Sequence, residues 1–249
     1  MVALKTAAEL TMMQKAGRIT AEALVAGGRA VCPGATTRDI ARIVHEHILR
    51  SGAHPSFLGY GGFPASCCIS VNDEVIHGIP GKRMLREGDV VSIDVGARMA
   101  GFHGDSARTF ACGTISDAAQ ALLDAADLAL SRGIEAAVAG NRIGDVSAAV
   151  QQTVESFGFS VVREYVGHGI GRNLHEEPEV PNFGEPGHGI RLVPGMTLAI
   201  EPMINAGGYA IRVLQDGWTV KTIDGSLSAH MEHTIAITAR GPVIMTVPS

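Results

Sequence analysis

Two short stretches decide how this chain is read: EGDVVSID, residues 87–94, and PGMTLAIE, residues 194–201. Each opens on a turn ending in glycine, runs on through apolar and small residues with strand character, and stops at a carboxylate. Superposed, Gly88 falls on Gly195, Ile93 on Ile200 and Asp94 on Glu201. The segments upstream repeat too, at an offset one residue shorter. There Gly34 meets Gly140, Asp39 meets Asp145, Ile40 meets Val146, Val44 meets Val150, Ile48 meets Val154 and Gly52 meets Gly158. Helix, helix and acid-ending strand thus occur twice in the same order, which predicts an internal duplication. A repeat this long and only twofold excludes a solenoid. The expected class is α+β: two halves, approximately residues 1–113 and 114–249, packed about a pseudo-twofold axis with a site at their seam. No Pro-, Gly- or Ser-rich linker divides them, so 1–249 reads as one domain.

Four helices are predicted. The first follows Thr6, whose spacing to Glu9 matches a capping box, and reaches about Gly27. The second follows Thr36, the third begins near Ser116, and the fourth lies around GDVSAAVQQTVESFG with Val146, Val150, Val154 and Phe157 on one face. DVVSIDVGA and FHGDSARTF, joined by RMAG, predict a hairpin. GMTLAIEP is a strand stopped by Pro202, and SAHMEHTIAITA alternates from Glu232 onward.

With 46% hydrophobic and 18% charged residues, the composition is globular and able to bury a large core. A net charge of −5 without like-charge runs argues against a dedicated nucleic-acid binder. No stretch approaches the roughly 20 apolar residues of a membrane span, and the N-terminus lacks the apolar core of a signal peptide. Cys32, Cys67, Cys68 and Cys112 form no C-x-x-C pair. Buried thiols in a reducing cytoplasm are therefore expected.

Asp94, Asp105, Glu201 and Glu232 fall within or at the ends of four predicted strands, two in each half. A carboxylate inside an apolar strand is costly unless it is paired, hydrogen-bonded or bound to metal. The competing reading is a structural ion-pair network. Its cations would be Arg108, or Lys82, Arg83 and Arg86 from a loop, which is a thin supply. Four carboxylates with a histidine form a ligand set for two hard or borderline divalent ions, about 3.5–4 Å apart in such sites. Co, Mn, Fe(II), Zn and Ni all remain open. The segment YVGHGIGRNLHEEPEV, residues 165–180, supplies His168 and His175. Gly167, Gly169 and Gly171 make a helix improbable there, and irregular backbone carrying two imidazoles is expected. His103 and His233, beside ligands on strands, and His45 and His47, on the second helix, read as packing or supporting groups. His54, His188 and His230 carry no signal.

VIHGIPG, SIDVGARMAGFHGDSARTF, GHGIGRNLHEEP, LAIEPM and MEHTIAIT occur in this order over nearly the whole chain. Together they resemble the type I methionine aminopeptidases, metallopeptidases of the pita-bread fold. The resemblance implies a fold of two pseudo-twofold-related halves, with antiparallel sheet covered by helices. It implies that Asp94, Asp105, His168, Glu201 and Glu232 hold two divalent metal ions, with Asp105 and Glu232 bridging. It makes His77, His175 and Glu201 catalytic, and His77 and His175 contacts to the substrate. Tyr60, Phe63, Cys68 and Trp218 would form the methionine pocket with Phe57 and Leu174, where Cys and Phe are expected in well-known bacterial members. Such a paired exchange roughly conserves volume.

The implied reaction is removal of initiator methionine from nascent chains, preferring a small second residue, by a monomeric cytoplasmic enzyme. Ribosome contact is an expectation of the resemblance alone, since no basic patch argues for it. The runners-up are an aminopeptidase P or prolidase, a creatinase-like hydrolase without metal, and a non-catalytic peptide-binding relative. The first usually carries an additional N-terminal domain; the other two would lack ligands that this chain retains.

Overall fold

The computed structural model describes residues 2–249. Helices α1 (Ala7–Gly28), α2 (Thr37–Arg50), α3 (Asp117–Ala136) and α4 (Ile143–Ser156) lie where the sequence predicts them. Their starts are fixed locally. Thr6 and Glu9 close the capping box of α1, and the Thr36 and Ser116 hydroxyls accept the N–H groups of Asp39 and Ala119. The fourth helix corrects one expectation. Phe157 lies just beyond it and is 43% exposed, stacked on Phe159, because the helix ends before its apolar stripe reaches that residue.

The duplication extends to backbone dihedrals. Gly34 and Gly140 have φ of 90° and 102°, Gly52 and Gly158 73° and 80°, Gly88 and Gly195 89° and 94°. Each pair occupies the left-handed region, where a side chain is disfavoured and glycine is the default. The apolar matches hold as well: Ile40, Val44 and Ile48 in α2, and Val146, Val150 and Val154 in α4, are all 0–1% exposed. One apolar core lies beneath α1 and α2, and a larger one beneath α3 and α4.

In the first half, strand Val90–Met99 pairs on one edge with Cys67–Val71 and His54–Pro55, and on the other with Phe102–Ala111. The hairpin turn is Ala100–Gly101, both at positive φ, the signature of a type I′ turn. In the second half, five antiparallel strands run in the order Gly241–Ile244, His233–Thr238, Thr197–Ile200, Gly167–Gly169 and Glu176–Val180. SAHMEHTIAITA is therefore two strands, Ser228–His230 and His233–Thr238, with Met231 and Glu232 in the break.

The halves meet where Phe102–Ala111 passes these two strands. Thr234 Oγ1 accepts from the Asp105 N–H at 2.9 Å and donates to the Asp105 carbonyl at 2.8 Å. Ser106 Oγ donates to the Glu232 carbonyl, and the Glu232 N–H to the Ala107 carbonyl, both at 2.8 Å. Hydroxyls thus take up backbone groups at the seam that a regular ladder would pair.

Candidate active site

Register brings the acids together. Asp94 is paired with Ala107, and Gly96 with Asp105, so both carboxylates project from one face as diagonal neighbours. Cys68 stands across from Asp94 on the other edge. In the second half His168 is paired with Ala199, two residues before Glu201, and Glu232 immediately precedes the strand that pairs with Thr197–Ile200. A strand pair in each half contributes donors, and the seam brings the two sets face to face.

The glycines around His168 have a different purpose from the one expected. His168 lies on the strand Gly167–Gly169, whose pairing with Glu176–Val180 shifts register between His168 and Gly169. His175 lies on irregular backbone as expected, but neither Gly167 nor Gly169 has a positive φ. A side chain at Gly167 would strike the Ala199 carbonyl, and one at Gly169 the Glu177 carbonyl. Glycine here permits close strand packing. His168 Nδ1 donates to the Gly169 carbonyl at 2.8 Å. That leaves the Nε2 lone pair free for a cation, as in metal-ligating histidines.

One cavity of about 130 Å³ is lined by thirteen residues, and these are the thirteen named above as catalytic, metal-binding or pocket-forming. Its apolar wall is a buried cluster that includes Phe57, Phe63, Cys68 and Leu174. Trp218 packs against this cluster with its ring 5.1 Å from Phe63, edge-on. Asp216 fixes the Trp218 loop by accepting the N–H groups of Trp218 and Thr219 at 2.9 and 2.8 Å. The His175 ring lies 4.2 Å from that of His168, and its Nδ1 is 2.6 Å from Tyr60 Oη. His77 has φ of 59°, which is rare for a residue with a side chain. Strain of this kind concentrates at sites where geometry matters more than stability.

Electrostatics in the cavity run against ionisation. Burial raises the Asp94 carboxyl to about 7, with Glu201 adding repulsion, and raises Glu201 itself to about 8. Burial and mutual repulsion push Asp105 and Glu232 well above the usual carboxylate range. The imidazoles shift the other way. Burial lowers His77 to about 4 and His168 to about 3, with neighbouring histidines adding to the effect, and desolvation also lowers His175.

The ion-pair alternative fails on partners. Arg108 pairs with Asp127 and Arg83 with Glu74, while among the described residues only His168 and His230 come within pairing range of the four carboxylates. Asp94 Oδ1, Asp105 Oδ1 and Glu232 Oε1 are buried without a hydrogen-bond partner. Asp105, His168 and Glu232 present ligand atoms within 4.8 Å of one another. Unpaired buried oxygens beside an imidazole whose other nitrogen is tied off are a donor set suited to divalent metal, whose charge would stabilise the carboxylates in ionised form.

The remaining histidines divide. His45, His103 and His233 bond Ser66, Ser56 and Thr246 through Nδ1, as packed supporting groups do. His54 and His188 are exposed. His230 was missed by the sequence reading: it is 2% exposed, with Nε2 3.6 Å from Glu201 Oε2. Its place on a three-residue buried strand, Ser228–His230, gives no local sign of this. All four cysteines are free, with Cys32 exposed. No described helix is long and apolar enough to cross a membrane.

Comparison with known proteins agrees with this geometry. Metallopeptidase family M24 matches residues 11–239. The methionine aminopeptidase of Clostridium perfringens is 54% identical over 247 residues, 99% of each chain. Methionine aminopeptidase 1 of Bacillus subtilis is 50% identical over 246 residues, again 99% of each. A crystal structure of methionine aminopeptidase from Thermotoga maritima superposes with a TM-score of 0.97 at 46% identity, covering 99% of both chains. The likeness to these methionine aminopeptidases carries their pita-bread fold with it. With the strand-borne acids, the seam and the family match in agreement, the chain belongs to metallopeptidase family M24.

Proposed function

We propose that this chain hydrolyses the first peptide bond of polypeptides that begin with methionine, releasing the free amino acid and preferring a small second residue. The observation that carries the reading is a single cavity in which carboxylates from both halves face an apolar wall of side-chain size. Asp94, Asp105, His168, Glu201 and Glu232 would hold two divalent cations, which supply Lewis-acid polarisation of the scissile carbonyl and a bound water acidified towards neutral pH.

The chain's own groups do the rest. Phe57, Tyr60, Phe63, Cys68, Leu174 and Trp218 take the thioether side chain, for which soft and aromatic walls are suited. Glu201 accepts the proton of the attacking water and returns it to the leaving amine. His77 and His175, neutral near pH 7, donate N–H groups to the oxygen that gains charge. For His175 this requires the proton on Nε2, the tautomer selected when Nδ1 accepts from the Tyr60 hydroxyl. Crowded acids near the cavity would hold the substrate's α-ammonium, which restricts cleavage to chain ends. On this reading residues 1–249 form one monomeric catalytic domain that acts in the cytoplasm on nascent chains, with ribosome contact where those chains emerge.

The test is release of free methionine from Met-Ala-Ser and Met-Leu-Ser peptides by metal-free protein reloaded with Co, Mn, Fe(II), Zn or Ni in turn. Efficient release from the first peptide and little from the second is expected. Silence with every metal, or cleavage of Xaa-Pro peptides instead, overturns the reading.

A further inference from the structure

The proposed chemistry leaves one buried imidazole without a task. His230 ends the strand Ser228–His230, is 2% exposed and does not line the cavity. Its backbone is pinned at the seam. The His230 N–H donates to Thr109 Oγ1 at 2.9 Å, its carbonyl is 3.0 Å from the same hydroxyl, and Thr109 also contacts Ser92 Oγ at 2.8 Å. The ring therefore starts from a fixed point. Its Nε2 is buried without a hydrogen-bond partner and faces Glu201 Oε2 at 3.6 Å. Glu201 Oε1 in turn lies 3.5 Å from His168 Nε2. The carboxylate is bracketed by two imidazoles, one at each oxygen, and its own backbone carbonyl is held by Asn182 Nδ2 at 3.1 Å.

A buried ring nitrogen without a partner is costly, and a small rotation of either side chain brings this one within hydrogen-bond reach. We propose that His230 is a positioning residue for Glu201: its neutral ring, protonated on Nε2, donates to Oε2 and fixes the plane of the carboxylate. Oε1 is then held towards His168 and the cavity, and the proton-carrying group meets the reacting water in one orientation. This inference rests on the proton-transfer role given to Glu201 above. Groups that hold a ligating or proton-carrying side chain from behind typically matter by roughly 10–100-fold in activity or metal affinity.

The test compares three variants of the full chain. His230→Gln keeps an N–H donor at similar reach, His230→Met keeps the bulk without a donor, and His230→Asn withdraws the donor. His230→Gln should retain kcat to within a few-fold, while Met and Asn should lower kcat roughly 10–100-fold with little change in KM. Mn(II) titration of the metal-free variants should show wild-type affinity in the Gln variant. Because Glu201 is also assigned as a ligand, Met and Asn should lose affinity by no more than they lose kcat. Imidazole ¹⁵N shifts of the parent should report the Nε2–H tautomer.

Wild-type turnover in the Met or Asn variant overturns the proposal, as does a Gln variant impaired as badly as Met. Loss of Mn(II) affinity in all three would make His230 a ligand instead, and an Nδ1–H tautomer would leave it unable to donate. If the Met variant does not fold, Asn against Gln carries the comparison. A parent protein that releases no methionine with any metal refutes the proposed function; the tautomer and the Mn(II) titrations still decide whether His230 is a donor to Glu201.

Discussion

The phenolic oxygen of Tyr60 lies 2.6 Å from Nδ1 of His175, although the two residues are 115 positions apart in the chain. The contact fixes the ring and, with the hydroxyl donating, places the remaining proton on Nε2. Tyr60→Phe removes that bond and keeps the aromatic wall. A neutral hydrogen bond is worth about 1 kcal/mol, so kcat should fall roughly fivefold with KM nearly constant. Steady-state kinetics on Met-Ala-Ser reads this directly. A rise in KM at constant kcat would assign Tyr60 to the pocket wall alone.

Glu201→Gln should abolish cleavage while the chain stays folded. The amide keeps the shape of the carboxylate at a position next to an antiparallel strand, but it can neither carry the proton nor supply a second anionic oxygen. Circular dichroism and methionine release together check it. Full activity in the variant removes the role given to Glu201.

His168 and His175 are separable although their rings are 4.2 Å apart. His168→Ala should lower Mn(II) content in the purified protein, because it removes a nitrogen whose partner atom is already committed to the Gly169 carbonyl. His175→Ala should lower kcat by roughly 10²–10³, the usual cost of losing one oxyanion donor, with metal content unchanged. Elemental analysis beside kinetics distinguishes the two. Metal loss in the His175 variant would mean that the division of labour is wrong.

Ala100 opens the type I′ turn with φ of 52° and is exposed. Asn occupies that region more readily than Ala, and Asn-Gly is the favoured sequence for this turn. Ala100→Asn should therefore stabilise the protein by about 0.5–1 kcal/mol, a rise of roughly 1–4 °C in Tm at this chain length. Activity should not change, since neither turn residue lines the cavity. Calorimetry of the metal-loaded protein measures it, and a lower Tm would refute the turn argument.

Metal-free protein should lose stability as pH rises from about 7.5 to 9. The carboxyls of Asp94, at about 7, and Glu201, at about 8, lie above their unfolded values near 4. Their contribution is complete below that unfolded value and disappears as pH passes the folded one, because the unfolded chain then binds fewer protons. Imidazoles held at about 4 and 3, His77 and His168, are neutral in the folded state. With unfolded values near 6.5, they are essentially neutral in the unfolded chain too above about pH 7.5, so they add little slope there. Added Mn(II) should reverse the trend, since metal binding favours the ionised ligands. Tm against pH, with and without metal, is the measurement. A metal-free Tm that climbs through this range contradicts the argument.

Sequence alone determined the repeat and the helices of this protein, because caps, glycine turns and apolar stripes act over a few residues. Thr6 and Glu9 close a capping box with no help from the rest of the fold. The paired glycines had to match in φ because each ends or begins the same local turn. Eight of the cavity residues were legible because each sits in one of five short motifs, whereas Phe57, Tyr60, Phe63, Cys68 and Trp218 lie outside those motifs and were named only through the family resemblance. Local pattern misled where a distant partner or an element boundary decides. Phe157 fits the helical period of α4 but falls past its end, and the glycines beside His168 answer to the carbonyls of Ala199 and Glu177, not to any turn of their own.

Tertiary structure alone decided that Asp105 and Glu232 would meet across a seam of hydroxyl contacts. It also set a silent histidine, His230, against Glu201. Both depend on docking one half against the other, and that geometry is set by packing of whole faces, which no short window of sequence contains.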